Sequence, residues 1–282
     1  MSPFTPKTLS FLRSLTRHND REWFKARRDE YDRHVREPMT VVVERLAADF
    51  RRFAPELVAS PRYSLYRVYR DTRFSENKKP LKTHAAAIFP WRGLPKHEGA
   101  GLYFEIAGGW VWMGGGMYHP EPPDLHRVRT HIANTWPEID RTVRATAFRK
   151  CLGQVGGDRL TRTPRGFAAD HPAAAYLKYR QFIAGREFPA PFAHSREFYP
   201  TLVATFRALM PLVRFLNQPL AERAQDSRLM AQADSRHGPW LTPARTMSQH
   251  EPQSLSHQPS SDSAPACKAL RPSRRCTAPA PV

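Results

Sequence analysis

The chain has 282 residues, 40% hydrophobic and 25% charged, a balance that supports a buried core, and it lacks the run of about 18 apolar residues that marks a membrane-spanning helix. Its net charge of +18 points to anionic partners, although charge governs association and solubility rather than fold. Its N-terminus has neither the basic start nor the apolar stretch of a signal peptide, and Cys151, Cys267 and Cys276 have no pairing or zinc spacing, so the composition predicts a cytoplasmic protein without a disulfide framework, metal site or cofactor.

Thr5-Pro6 reads as an N-cap followed by proline at the first helical position, and Leu9, Leu12 and Leu15 recur at helical spacing. Asn19 and Glu22 form the pattern of a capping box for a second helix, with Trp23, Phe24, Tyr31 and Val35 as its apolar stripe. Pro38 interrupts, and Met39, Val42, Leu46, Phe50 and Phe53 mark a third helix. The period then changes to two. Tyr63–Tyr69, Thr83–Phe89, Gly101–Ala107 and Trp110–Gly114 read as four strands, and Gly108-Gly109 reads as a tight hairpin between the last two. That hairpin places Ala107 opposite Trp110, Ile106 opposite Val111 and Phe104 opposite Met113. Phe104, Ile106, Val111 and Met113 then share a core face, while Tyr103, Glu105, Ala107, Trp110 and Trp112 share the other.

Gly114-Gly115-Gly116 precedes a proline-rich helix start, but no Gly-Lys-Ser/Thr follows and Pro122-Pro123 remove N–H donors, which favours close backbone packing over a phosphate loop. Leu125, Val128 and Ile132 mark that helix, another begins near Pro137, Asp170-His171-Pro172 reads as a cap and first turn, and a last helix spans about Ser195 to Asn217 with prolines at 200 and 211. The predicted architecture is α+β: a small, mainly antiparallel sheet of about four strands within residues 63–114, packed with N-terminal and C-terminal helices. It occupies a single domain over residues 1–222. Residues 223–282, rich in Pro, Ser, Ala and Arg, read as a disordered tail.

The densest polar stretch is Arg67 to His84. Residues 61–99 hold nine Lys/Arg against three Asp/Glu. Strand alternation puts Arg67 and Arg70 on opposite faces, and an arginine on an otherwise apolar face needs a carboxylate or a bound anion. Its planar fork suits phosphate or carboxylate. The turn around Ser75, Asn77 and Lys78 supplies N–H groups beside lysines. Arg67, Arg70, Arg73, Lys78 and Lys82 are therefore the candidate anion ligands, and Trp112 is a candidate stacking platform. Asp71, Glu105 and His84 are the candidates for acid–base work. His84, His119 and His171 are scattered, and no HExxH, CxxC or Gly-x-Ser-x-Gly pattern occurs.

Arg67-Val68-Tyr69-Arg70-Asp71-Thr72-Arg73-Phe74-Ser75, followed by Lys78, Pro80, Lys82 and Thr83, resembles the signature of an uncharacterised bacterial and fungal family catalogued as domain of unknown function 2461. Further pieces agree in order: Thr8 to Leu12, Asn19 to Phe24, Gly114 to Gly116 with Pro120, Pro164 to Phe167, Asp170 to Pro172, and Pro211-Leu212 with Phe215-Leu216. The resemblance covers roughly residues 4–220 and implies one family domain, with no activity to carry over. Leu81 stands where the family usually has an aromatic residue.

Three functions stay open on the sequence. The first is a binding module for a phosphate-bearing or other anionic ligand, such as nucleic acid or a nucleotide, with no membrane partner. The second is an enzyme that uses the cations to stabilise charge on a small anionic substrate. The third is a structural or partner-binding domain braced by an internal Arg–carboxylate network.

Overall fold

The computed structural model describes residues 2–73 and 76–236. The N-terminal third is helical: α1 Pro6–Arg17, α2 Arg21–Lys25, α3 Arg28–Tyr31, a π-helical turn Asp32–Arg36 running directly into α4 Glu37–Phe53, and the single turn α5 Pro61–Ser64. Three strands follow: β1 His84–Phe89, β2 Ala100–Ala107 and β3 Trp110–Met117. After α6 Pro122–Asn134, α7 Trp136–Arg144, α8 Thr146–Leu152 and α9 Ala174–Leu177 come β4 Phe182–Pro189 and the long α10 Phe198–Arg236. The four strands form one antiparallel sheet in the order β1-β2-β3-β4. Among the described residues, no helix is long and apolar enough to cross a membrane.

The sheet has the register that the hairpin imposes: Ile106 faces Val111, Glu105 faces Trp112 and Phe104 faces Met113. The core face is dry. Phe89, Phe104, Ile106, Val111 and Met113 are buried completely, and α10 packs against β2 and β3 from that side. Phe89 sits at the centre, 5.1 Å from the Phe50 ring of α4 and 5.8 Å from Phe206 of α10. A reciprocal polar tie crosses this interface: Asn217 Nδ2 donates to the Ala100 carbonyl at 2.8 Å, and the Ala100 N–H donates back to Asn217 Oδ1 at 2.7 Å. Buried polar atoms must be paired in this way to avoid a desolvation cost.

Several expectations are corrected by the structure. Tyr63–Tyr69 is not a strand. Ser60 Oγ accepts the Tyr63 N–H, and Pro61 opens a helical turn, so cap and proline override the alternation. Beyond that turn the chain is extended, with isolated bridges Leu65–Ala87 and Tyr69–Leu81. The fourth strand is β4 instead. It is an edge strand that carries Gly185 and ends on Pro189, residues that mask a strand signal and are tolerated at an edge. Asn19 does not cap α2. Asp20 does, accepting from the Glu22 and Trp23 N–H groups, and Asn19 reaches across to Leu81. Pro38 does not break the helix: it sits in the first turn of α4, directly after the π turn, and the His34 carbonyl it cannot serve accepts the Thr8 hydroxyl at 2.7 Å. Asp170 caps no helix; α9 begins at Ala174, where His171 Nδ1 accepts the Ala173 N–H at 3.0 Å.

The glycine triplet lies inside β3. Gly116 has φ +121°, and a Cβ there would overlap the Phe182 carbonyl oxygen of β4. Close strand approach, not phosphate binding, explains the triplet. The last helix continues through residue 222 to Arg236. Of the tail expected over residues 223–282, residues 223–236 continue this helix and residues 237–282 lie outside the described residues.

Candidate functional site

The second face of the sheet is polar and aromatic. Strand register sets its rows: Ala86, Glu105, Trp112 and Glu187 lie side by side across β1 to β4, and Ile88, Tyr103, Gly114 and Gly185 form the next row. The two glycines leave space that the Trp112 indole fills. A Cβ on either would come within 2.8 Å of that ring. Trp112 in turn meets the Tyr103 ring at 5.9 Å.

Glu105 is the centre of this face. It is a carboxylate in mid-sheet, only 4% exposed. Tyr103 Oη donates to Glu105 Oε2 at 2.6 Å, and His84 Nε2 lies 3.4 Å from the same oxygen. Burial pushes the Glu105 carboxyl up to about 7; the Tyr103 hydrogen bond pulls the other way, and the negative charge of Glu187 adds to the rise. Burial also pushes His84 down to about 4, assisted by the positive charges of Lys82 and Arg70. Between those values both groups are neutral. Their contact is that of a protonated carboxyl and a neutral imidazole, although its length falls within ion-pair range.

Cations enter from the chain before β1 and from the β1–β2 connection. Val68 and Arg70 run beside Pro80 and Lys82: the Lys82 N–H donates to the Val68 carbonyl at 2.8 Å, and the Arg70 N–H donates to the Pro80 carbonyl at 2.9 Å. The Tyr66 N–H donates to the Ala86 carbonyl at 3.1 Å, which lays Tyr66 along the edge of the sheet. Its ring receives Lys82 Nζ at 4.5 Å and Lys96 Nζ at 5.1 Å from the centroid. Tyr66 also approaches Tyr103 at 6.3 Å and His97 at 6.1 Å. Leu81 holds this arrangement in place. Its side chain is buried, and its backbone is gripped by Asn19, with Nδ2 donating to its carbonyl and Oδ1 accepting its N–H, both at 2.9 Å. Leu81 thus serves the core, not a stacking surface.

The structure divides the sequence candidates between two places. Lys82, His84, Glu105 and Trp112 come together on the sheet face, and Arg70 lies close enough to act on His84. Arg73 and Lys78 engage the preceding turn. Arg73 Nη2 pairs with Asp71 Oδ2 at 2.7 Å, and Lys78 Nζ donates to the Thr72 carbonyl at 3.2 Å. The side-chain and backbone hydrogen bonds of Arg73 hold Asp71 down to about 2, and Arg67 adds to that pull. Asp71 is therefore a fixed anion at neutral pH and unsuited to proton transfer. Sequence reasoning did not identify Tyr66, Lys96, His97 or Glu187 as site residues. Lys96 and His97 sit in a connection without periodicity, and Glu187 could be placed only once β4 was known.

A separate cleft of about 350 Å³ lies between α1 and the α2–α3 pair, lined by Lys7, Ser10, Ser14, Trp23, Arg27 and Glu30 among others. It shares no residue with the sheet face. Arg27 is stacked on Trp23 at 4.8 Å, and none of the cleft's acids or bases is buried as Glu105 is. Chemistry therefore favours the sheet face. Among the described residues, no group of His, Cys, Asp and Glu side chains is placed to hold a metal.

Neither curated proteins nor solved structures provide a match to the chain. A family model does: the one described as conserved hypothetical protein (DUF2461) matches residues 7–215, spanning nearly all of α1, the whole sheet and the N-terminal part of α10. The chain belongs to that family.

Proposed function

We propose that the outer sheet face binds a phosphate-bearing ligand that also carries a flat ring, such as a nucleotide. One observation carries the reading: the ammonium groups of Lys82 and Lys96 converge on a single Tyr66 ring, at 4.5 and 5.1 Å. Two ammonium groups at one ring concentrate positive potential at this edge of the sheet, a field that favours an anion alongside. Arg70 adds a further positive charge to the same side. Tyr103 and Trp112 provide aromatic surface for the ring beside the lysine-bearing Tyr66. The titration partner is ATP. Its affinity is expected to weaken as salt rises from about 50 to about 200 mM, and Lys82→Ala or Lys96→Ala is expected to weaken it roughly tenfold, the equivalent of about 1.5 kcal/mol for a charged contact. Absence of ATP binding at low salt would remove the basis for the reading.

The Glu105, His84 and Tyr103 cluster favours a second reading, an enzyme acting on a small anionic substrate. A carboxyl that titrates near neutrality is suited to give and accept protons. In this reading Glu105→Gln leaves a bound ligand unconverted. If incubation of the wild-type chain with a panel of phosphate esters leaves all of them intact, the simple binding module is the better description.

A further inference from the structure

We propose that the anion site on the sheet face is proton-coupled: Glu105 takes up a proton when the anion binds, so the protein captures its ligand as an anion–proton pair. This rests on the anion-binding reading above and specifies how that site is regulated.

The inference stands on the arrangement of groups around one carboxyl. Glu105 is buried on β2 at 4% exposure, and its Oε2 accepts the Tyr103 hydroxyl at 2.6 Å. From β1, His84 Nε2 approaches the same oxygen at 3.4 Å. Across β3 the neighbour is the Trp112 ring, which carries no charge, and beyond it on β4 lies Glu187, of like sign. From the segment before β1 come Lys82 and Arg70, whose fields reach His84. From the β1–β2 connection, Lys96 and His97 stand at Tyr66, which contacts Tyr103. Glu105 is thus one contact away from the residues that receive the anion, and among the ion pairs of the described residues it meets His84 but no Lys or Arg. An anion bound beside Lys82 and Arg70 places a second negative charge near Glu105 and disfavours the ionised carboxylate. The two charges exclude one another, which is a thermodynamic linkage and therefore reciprocal. Because the carboxyl changes state near pH 7, the exclusion acts within the neutral range.

His84 does not supply this proton. Its burial and its positive neighbours keep it neutral down to about pH 4. Tyr103 acts as the donor that keeps the Glu105 oxygen oriented, and Glu187 adds to the preference for the protonated carboxyl.

The test uses inorganic sulfate, an anion whose own charge is constant across the neutral range, titrated into the full chain at a series of pH values from about 5.5 to about 8.5. Wild-type affinity is expected to be level below about pH 7 and to fall by up to tenfold per pH unit above it. Glu105→Gln is expected to remove that fall, so that the variant binds sulfate more tightly than wild type at the alkaline end. Should Glu105→Gln fail to fold, the wild-type curve alone is decisive: a level affinity across the series overturns proton coupling. A fall that persists in Glu105→Gln, or that disappears in His84→Asn instead, also overturns it. Binding that is present but independent of pH rejects only the coupling. Absence of sulfate binding at every pH, with absence of ATP binding, rejects the anion site itself.

Discussion

Glu105 and His84 are buried neighbours whose titrations push stability in opposite directions. The folded protein holds the Glu105 carboxyl protonated up to about 7, against an ordinary value of 4.5. Its contribution to stability is present in full below pH 4.5 and is lost as pH rises through about 7. His84 is held at about 4 against an ordinary 6.5, so its contribution is present above pH 6.5 and is lost as pH falls through about 4. Between pH 4.5 and 6.5 the two contributions change in opposite senses and cancel, so the wild-type melting profile is expected to be nearly level there. Glu105→Gln leaves the His84 contribution alone and should make stability rise from about pH 4 to 6.5, and His84→Asn leaves that of Glu105 and should make stability fall from pH 4.5 to about 7. Thermal melts across that range test both. A Glu105→Gln profile parallel to wild type would show that the carboxyl is not held protonated. Asn19 acts at the same scale. Its two hydrogen bonds fix the Leu81 backbone, and Asn19→Ala should cost about 1–3 kcal/mol in urea denaturation, because buried backbone groups are left without partners.

Two elements make the sheet what it is: the glycine-rich strand β3 and the long helix α10. Gly116→Ala adds a Cβ that overlaps the Phe182 carbonyl, so β3 and β4 must separate. Gly109→Ala meets nothing within 4 Å at the hairpin tip. The first substitution should reduce soluble protein or lower the melting temperature sharply, and the second should leave both close to wild type. Asn217→Ala should destabilise by about 1–3 kcal/mol for each of the two Ala100 backbone groups it orphans. These elements also show what the sequence could and could not convey. The β2–β3 hairpin was legible because Gly108-Gly109 fixes the turn and alternation fixes the faces, which placed Glu105 among aromatics before any coordinates. β4 was not legible, because its glycine makes room for Trp112, a residue about seventy positions away in sequence. The Tyr63–Tyr69 segment alternates like a strand, but Ser60-Pro61 starts a helical turn that local pattern counting overlooks. Of the site, Lys82, His84, Glu105 and Trp112 were identifiable from type and spacing. Lys96 and His97 were not, because tertiary contact with Tyr66 alone brings them in.

The whole molecule separates its two sheet faces by chemistry. One face is sealed by α4 and α10 with phenylalanines packed edge to face. The other carries the buried carboxyl, aromatic rings and converging lysines. The net charge of +18 gives the entire surface a weak attraction for anions, so binding alone does not locate a site. Localisation does. The most direct measurement is nuclear magnetic resonance of the full chain during an ATP titration at low salt, following the ring signals of Tyr66, Tyr103, Trp112 and Trp23. The expected result is saturable change at Tyr66, Tyr103 and Trp112, with the Trp23 indole in the α1–α3 cleft unmoved. Change confined to Trp23, or spread without saturation over the surface arginines, would contradict an anion site on the outer face of the sheet.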